Sequence, residues 1–132
     1  MRKLLITLSL IFVSLASLSQ AKLIATKAFL GHWNDYSKEY QIDDNDIRDV
    51  RIRFSFYDTY IQVEDEARSL YRIVKTYPRK TTQFGESITA DCLDERNIKC
   101  IVSLITYKDT SELHIVVQYA KVAYFYIVTK DK

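Results

Sequence analysis

Few side chains in this sequence are equipped for nucleophilic, acid–base or metal chemistry, and they are widely spaced. The chain of 132 residues holds two Cys and two His. Cys92 and Cys100 flank Leu-Asp-Glu-Arg-Asn-Ile-Lys, which is polar in its middle and turn-like at Asp94 to Asn97. Such a pair could form a structural disulfide, supply a reactive thiol or bind a metal. A metal needs more ligands than two cysteines and two distant histidines readily supply. A catalytic thiol needs a base at hand, and none adjoins either cysteine in sequence. If 87–93 and 99–107 are antiparallel strands, Cys92 faces Cys100, and opposed positions bring two Cβ atoms within disulfide range. The spacing therefore favours a disulfide, contributing about 2–3 kcal/mol in the chain-entropy description.

Catalysis has less support. His32 and His114 are far apart, and each reads as a surface or interface residue on its strand. No nucleophile motif, glycine-rich phosphate loop or metal-ligand spacing appears. Glu64 and Glu66 form a carboxylate pair, but loop carboxylates are ordinarily solvated charges. Asp43-Asp44-Asn45-Asp46 has the look of a calcium loop, yet the turn Gly is missing and Arg48 stands where a ligand is needed. A solvated turn is the simpler reading. The expectation is a non-enzyme with no metal and no cofactor; the alternative is a hydrolase-type activity without a recognisable motif.

The compartment follows from the first 21 residues. Arg2 and Lys3 precede an apolar run from Leu4 to Leu18, and Ser19-Gln20-Ala21 places small residues where a signal peptidase acts. The run is shorter than the roughly 20 residues of a spanning helix. The sequence thus divides into a cleaved signal peptide, 1–21, and a single β-rich domain, 22–132. It implies export to the periplasm or the extracellular medium, with no transmembrane segment after cleavage. The whole chain carries 19 basic and 17 acidic side chains. Arg2 and Lys3 leave with the signal, so the remaining domain is balanced at 17 of each. A neutral domain has no charge-based reason to seek nucleic acid.

The elements that must position these residues have period two from residue 47 onward. Val50-Arg51-Ile52-Arg53-Phe54-Ser55-Phe56 alternates strictly, as a half-buried strand does. Runs at 31–41, 47–57, 60–65, 69–77, 86–93, 99–107, 112–119 and 122–129 give about eight strands. The polar segment Arg79 to Gln83 is the one substantial loop and the candidate flap. Side-chain phase sets Leu104 opposite Ile115, Ile115 opposite Tyr126, and Val117 opposite Tyr124. One face then collects Val102, Leu104, Leu113, Ile115, Val117, Tyr124, Tyr126 and Val128 as core. The other face is also apolar, with Ile101, Ile105, Tyr107, Val116, Phe125 and Ile127. Either a helix, a terminal segment or a partner subunit covers it, or the phase slips by one residue.

The fold class is therefore mainly β: a single antiparallel meander closed, or nearly closed, into a small barrel. Residues 22–46 leave an alternative open, an α+β arrangement with an N-terminal helix packed on a curved antiparallel sheet. Phe29-Leu30-Gly31-His32-Trp33 contains a G-x-W element with a preceding Phe. With the strand count, it resembles the opening of the calycin barrels, the lipocalin and fatty-acid-binding-protein type. That resemblance implies that Trp33 closes one barrel end while Gly31 permits close packing. It also implies a carrier of a small apolar ligand, lined here by Phe54, Phe56, Ile115, Val117, Tyr124 and Tyr126. The alternative is a secreted interaction or inhibitor domain without a cavity, using Ile105, Tyr107, Val116, Phe125 and Ile127. Its partner would be another protein or a second copy in a homodimer.

Overall fold

A computed structural model describes residues 22–42 and 47–130, and among them there are ten strands and no helix. Residues 1–21, read from the sequence as a signal peptide, and the acidic stretch 43–46 lie outside the described residues, as do 131 and 132. The strands are β1 (Lys22–Asn34), β2 (Glu39–Ile42), β3 (Arg48–Phe56), β4 (Tyr60–Glu64) and β5 (Arg68–Thr76). They continue as β6 (Lys80–Thr82), β7 (Gly85–Leu93), β8 (Lys99–Tyr107), β9 (Leu113–Gln118) and β10 (Val122–Lys130). Eight of them follow the order β10-β9-β8-β7-β5-β4-β3-β1, and β1 pairs with β10 to close the ring. Every pairing is antiparallel, so the barrel is a meander; β2 and β6 are additions on β1 and β7.

Residues 22–34 form a strand, so the helical alternative for this segment fails. The reason lies at one position. A bulge between Ala25 and Lys27 shifts the register on both sides of β1. Leu23 and Ala25 face the core before the bulge, and the alternation restarts out of phase after it. Leu23, Ile24, Ala28 and Phe29 therefore look helical in sequence although each lies in a strand. The first half of β1 pairs with β3 and the second half with β2.

The phase of the last three strands is as the sequence indicates. Leu104 opposes Ile115, Ile115 opposes Tyr126, and Val117 opposes Tyr124, so the apolar second face is not a slip of register. Inside, Phe54, Ile115 and Val117 are each at most 1% exposed. They pack in one cluster with Leu23, Ile52, Val102 and Val128, as an eight-stranded barrel of side-chain-filling width allows. Phe54 meets Tyr126 edge-on at 5.0 Å.

The expected flap is also ordered differently. Lys80 to Thr82 pair with Ser87 to Gly85, making a tight β6–β7 hairpin. Thus β5 borders the far half of β7 and β6 its near half. Pro78 lies in the gap between them, where a residue without an N–H cannot sustain a ladder.

Candidate functional site

Two turns meet at the barrel end where β7 passes into β8 and β9 into β10. Asp94 organises the first. Its Oδ1 accepts the N–H groups of Arg96 and Ile98, both at 2.9 Å, while its own N–H donates to the Ile98 carbonyl at 3.0 Å. This is an Asx-type turn, and Asn97 takes the left-handed conformation at φ 62°. Glu95 Oε1 accepts the Leu70 N–H at 2.8 Å, tying the turn to the start of β5. Tyr119 is fixed through its backbone: its N–H donates to Val122 at 2.8 Å, and its carbonyl accepts the Tyr40 hydroxyl at 2.6 Å.

Between these elements lies a recess of about 300 Å³, lined by Ser69, Leu70, Tyr71, Asp94, Glu95, Arg96 and Tyr119. The Tyr119 hydroxyl donates to Asp94 Oδ2 at 3.0 Å. Tyr71 lines the same recess, close enough that its phenol and that of Tyr119 each shift the other. The Ile98 amide, seconded by Tyr119 and Arg96, holds the Asp94 carboxyl below its usual range against the opposing effect of burial. Burial pushes the phenols of Tyr71, Tyr119 and Tyr126 up.

Beneath the recess, Cys92 and Cys100 face each other. Bonds from Asp94 N–H to Ile98 and from Lys108 N–H to Phe84 set the β7–β8 ladder phase, which makes Cys92 and Cys100 a hydrogen-bonded pair. Such pairs have Cα atoms about 5.5 Å apart, inside the roughly 4.4–6.8 Å disulfide window. Both are buried free thiols in this structure. Burial pushes Cys92 up to about 12, with Cys100 adding to the effect; burial pushes Cys100 up to about 11, against a Tyr119 hydrogen bond that lowers it. As thiols they are poor nucleophiles.

The six side chains read as a ligand lining are brought together inside the barrel, but not equally. Phe54, Phe56, Ile115 and Val117 are buried in the core cluster, and Tyr126 packs against it. Tyr124 is 40% exposed and meets Tyr119 edge-on at 6.1 Å, beside the recess. Gly31 is buried, and a Cβ there would come within 2.9 Å of the Phe125 ring and 3.2 Å of Tyr40. Trp33 lies at the far end of β1 against Tyr40, ring centroids 5.1 Å apart. By alternation it shares a face with Phe29 and Phe125. His32 is exposed there.

On the outward face, Ile105 and Ile127 both oppose His114. Val116 opposes Phe125, whose ring stacks on Phe29 at 5.2 Å and an interplanar angle of 1°. Ile105, Tyr107, Phe125 and Ile127 are half-buried and Val116 is buried, so this face is partly self-covered.

One polar residue went unread. Glu86 shares its strand phase with Ile88, Ala90 and Cys92, so it points inward, and it is 8% exposed. Thr81 donates to Glu86 Oε1 at 3.3 Å, and Arg79 Nη1 stands 3.9 Å from the same oxygen. Its Oε2 has no hydrogen-bond partner among the described residues. The phase of β7 was sufficient to place it.

The fold defines the class: a closed, eight-stranded antiparallel β-barrel with two added strands, compatible with a calycin-like barrel. Comparison with models of protein families, with curated proteins and with solved structures finds no match for the chain. Among the described residues no helix is long and apolar enough to cross a membrane, and no group of His, Cys, Asp and Glu is arranged to hold a metal ion.

Proposed function

We propose that this chain is an exported, non-enzymatic binding protein that holds a small ligand at the mouth of its barrel. The observation that carries the reading is the 300 Å³ recess, in which the Tyr119 hydroxyl meets the Asp94 carboxylate beside Tyr71 and the apolar Leu70. Concave sites that combine an apolar wall with a few placed polar groups are the usual form of small-molecule sites. Phe54, Ile115 and Val117 supply the packed support below rather than the contact surface. A ligand with a flat or aliphatic body and one polar group suits the recess. Native mass spectrometry of freshly purified protein tests this. The expected result is a retained small-molecule mass that is lost in Tyr119→Phe; apo protein that no amphiphilic probe stabilises against heat would overturn it.

Export carries Cys92 and Cys100 into oxidising surroundings, where their direct opposition lets them close to a disulfide. Intact mass before and after reduction reads this as the loss or gain of two hydrogens. A second reading, a protein-interaction or inhibitor domain, draws on the outward stripe extended by the Phe29–Phe125 stack. It requires a stable complex or a homodimer that Phe125→Asp disrupts, which size-exclusion chromatography with light scattering detects.

A further inference from the structure

A second recess, of about 290 Å³, lies outside the barrel at the opposite end, lined by Phe84, Tyr107, Asp109, Thr110, Glu112 and His114. Its walls are held by backbone. Lys108 N–H donates to Phe84 at 2.9 Å, Tyr107 N–H to Glu112 at 2.9 Å, and Ser111 N–H to Tyr107 at 3.0 Å. His114 meets the Tyr107 ring edge-on at 4.7 Å, and its Nε2 is 3.1 Å from Glu112 Oε2. The imidazole is thereby engaged on both sides. Phe84 is 65% exposed, in the turn between β6 and β7.

The chemistry of these walls is selective. Phe84 and Tyr107 line the recess, and the negative potential of an aromatic face attracts cations. Two carboxylates add the same sign, and no lysine or arginine lines the recess. An anion is therefore repelled. A metal ion is not favoured either, because Asp109, Glu112 and His114 do not converge as ligands. A compact ammonium is strongly hydrated, whereas an alkylated one can bury methyl groups against the rings and keep its charge. We propose that this recess binds an organic cation of the alkylammonium class, methylated amines above all. The shared chemistry admits two sources, a free quaternary amine or a methylated lysine side chain on a protein.

Amide and aromatic NMR titration of the full domain with choline tests the proposal. Choline should shift Phe84, Tyr107 and His114 in a saturable, millimolar-range titration. Its neutral isostere 3,3-dimethyl-1-butanol should bind about tenfold more weakly. Phe84→Leu, which keeps an apolar side chain without a ring face, should weaken choline binding by about tenfold while leaving distant resonances in place, and Asp109→Asn should weaken it further. A short peptide carrying trimethyllysine that binds more tightly than choline assigns the occupant to a protein side chain; tighter choline assigns it to a free amine. Equal binding of the neutral isostere, or no shift at these residues, overturns the proposal.

Discussion

The Tyr119 hydroxyl donates to Asp94 Oδ2 at 3.0 Å across the barrel mouth, joining two turns that are 25 residues apart in sequence. Tyr71 from β5 lines the recess beside the same hydroxyl. Tyr119→Phe keeps the ring and its contact with Tyr124 but removes the bond to Asp94. Its melting temperature should fall by roughly 2–5 °C, the scale of a lost partly exposed hydrogen bond in a small domain. The Asp94 carboxyl should titrate closer to its ordinary value, as carboxyl-carbon NMR would show. The shift is partial, because the Ile98 amide, the larger cause of its depression, remains. An unchanged Asp94 titration would mean that the hydroxyl does not hold the turn.

Asp94 also gives the acid limb of stability a defined sign. Its carboxyl is depressed in the folded protein, so its contribution is present above the unfolded value, roughly pH 4, and is lost as pH falls through the folded value. Asp94→Asn should therefore be less stable than the parent at pH 7, with the difference closing below about pH 4. Urea melts across that range measure it. A gap that persists in acid would assign the effect to geometry rather than charge.

At alkaline pH the sign reverses. Both thiols are raised in the folded state, Cys92 to about 12 and Cys100 to about 11. The unfolded chain releases these protons near pH 8.5, while the fold retains them. Their stabilising effect is complete below that pH and is lost as pH rises through the folded values. The buried phenols of Tyr71 and Tyr126 act in the same direction above about pH 10. In reduced protein, stability should decline from pH 8 to pH 11, and Cys92→Ala with Cys100→Ala should decline less steeply from a lower starting point. Alkylation by iodoacetamide at pH 8 should be slow until denaturant is added.

The core makes a plainer demand. Phe54 is 1% exposed and touches Tyr126 from β10 while sitting on β3. Phe54→Ala should cost about 3–5 kcal/mol, the range for deleting a buried aromatic. Chemical denaturation with an unchanged slope would confirm a simple loss of packing. A cost below about 1.5 kcal/mol, as for a well-tolerated core swap, would mean that the barrel centre is open enough to relax.

What the sequence disclosed and what it hid have physical reasons. Strands β8 to β10 were legible because alternation and short turns leave one register that buries Ile115 and Val117 together. β1 was not, because the bulge after Ala25 breaks the alternation that defines a strand. β6 was hidden by its polarity, since Lys80, Thr81 and Thr82 carry no apolar face, and only pairing with β7 makes them a strand. The recess was harder still. Tyr71, Asp94 and Tyr119 come from three separate elements, and Asp94 reads as an ordinary turn residue until Tyr119 is placed against it. Glu86 was within reach, because its phase with Ile88 and Ala90 already turns it inward.

Gly85 is the position where the β6–β7 hairpin depends on the absence of a side chain. Its φ is +154°, and a Cβ would stand 1.9 Å from the Thr106 carbonyl oxygen and 3.1 Å from the Tyr107 Cα. Those atoms are backbone of β8, so neither a rotamer change nor a small tilt relieves the contact. Relief requires β7 to part from β8 at its first residue, which also displaces Thr82, the partner of Gly85, and with it the Thr81–Glu86 contact. Gly85→Ala should therefore cost more than the roughly 1–3 kcal/mol of ordinary overpacking. The damage should be local, with amide exchange rising at Lys80 to Glu86 and at Thr106 and Tyr107 while Cys92 and Val102 stay protected. Gly31→Ala offers the comparison: its nearest contact is the end of the Phe125 ring at 2.9 Å, a group that can move, so its cost should be the smaller of the two. Equal costs at the two glycines would show that the β7–β8 backbone is not the rigid partner inferred for Gly85.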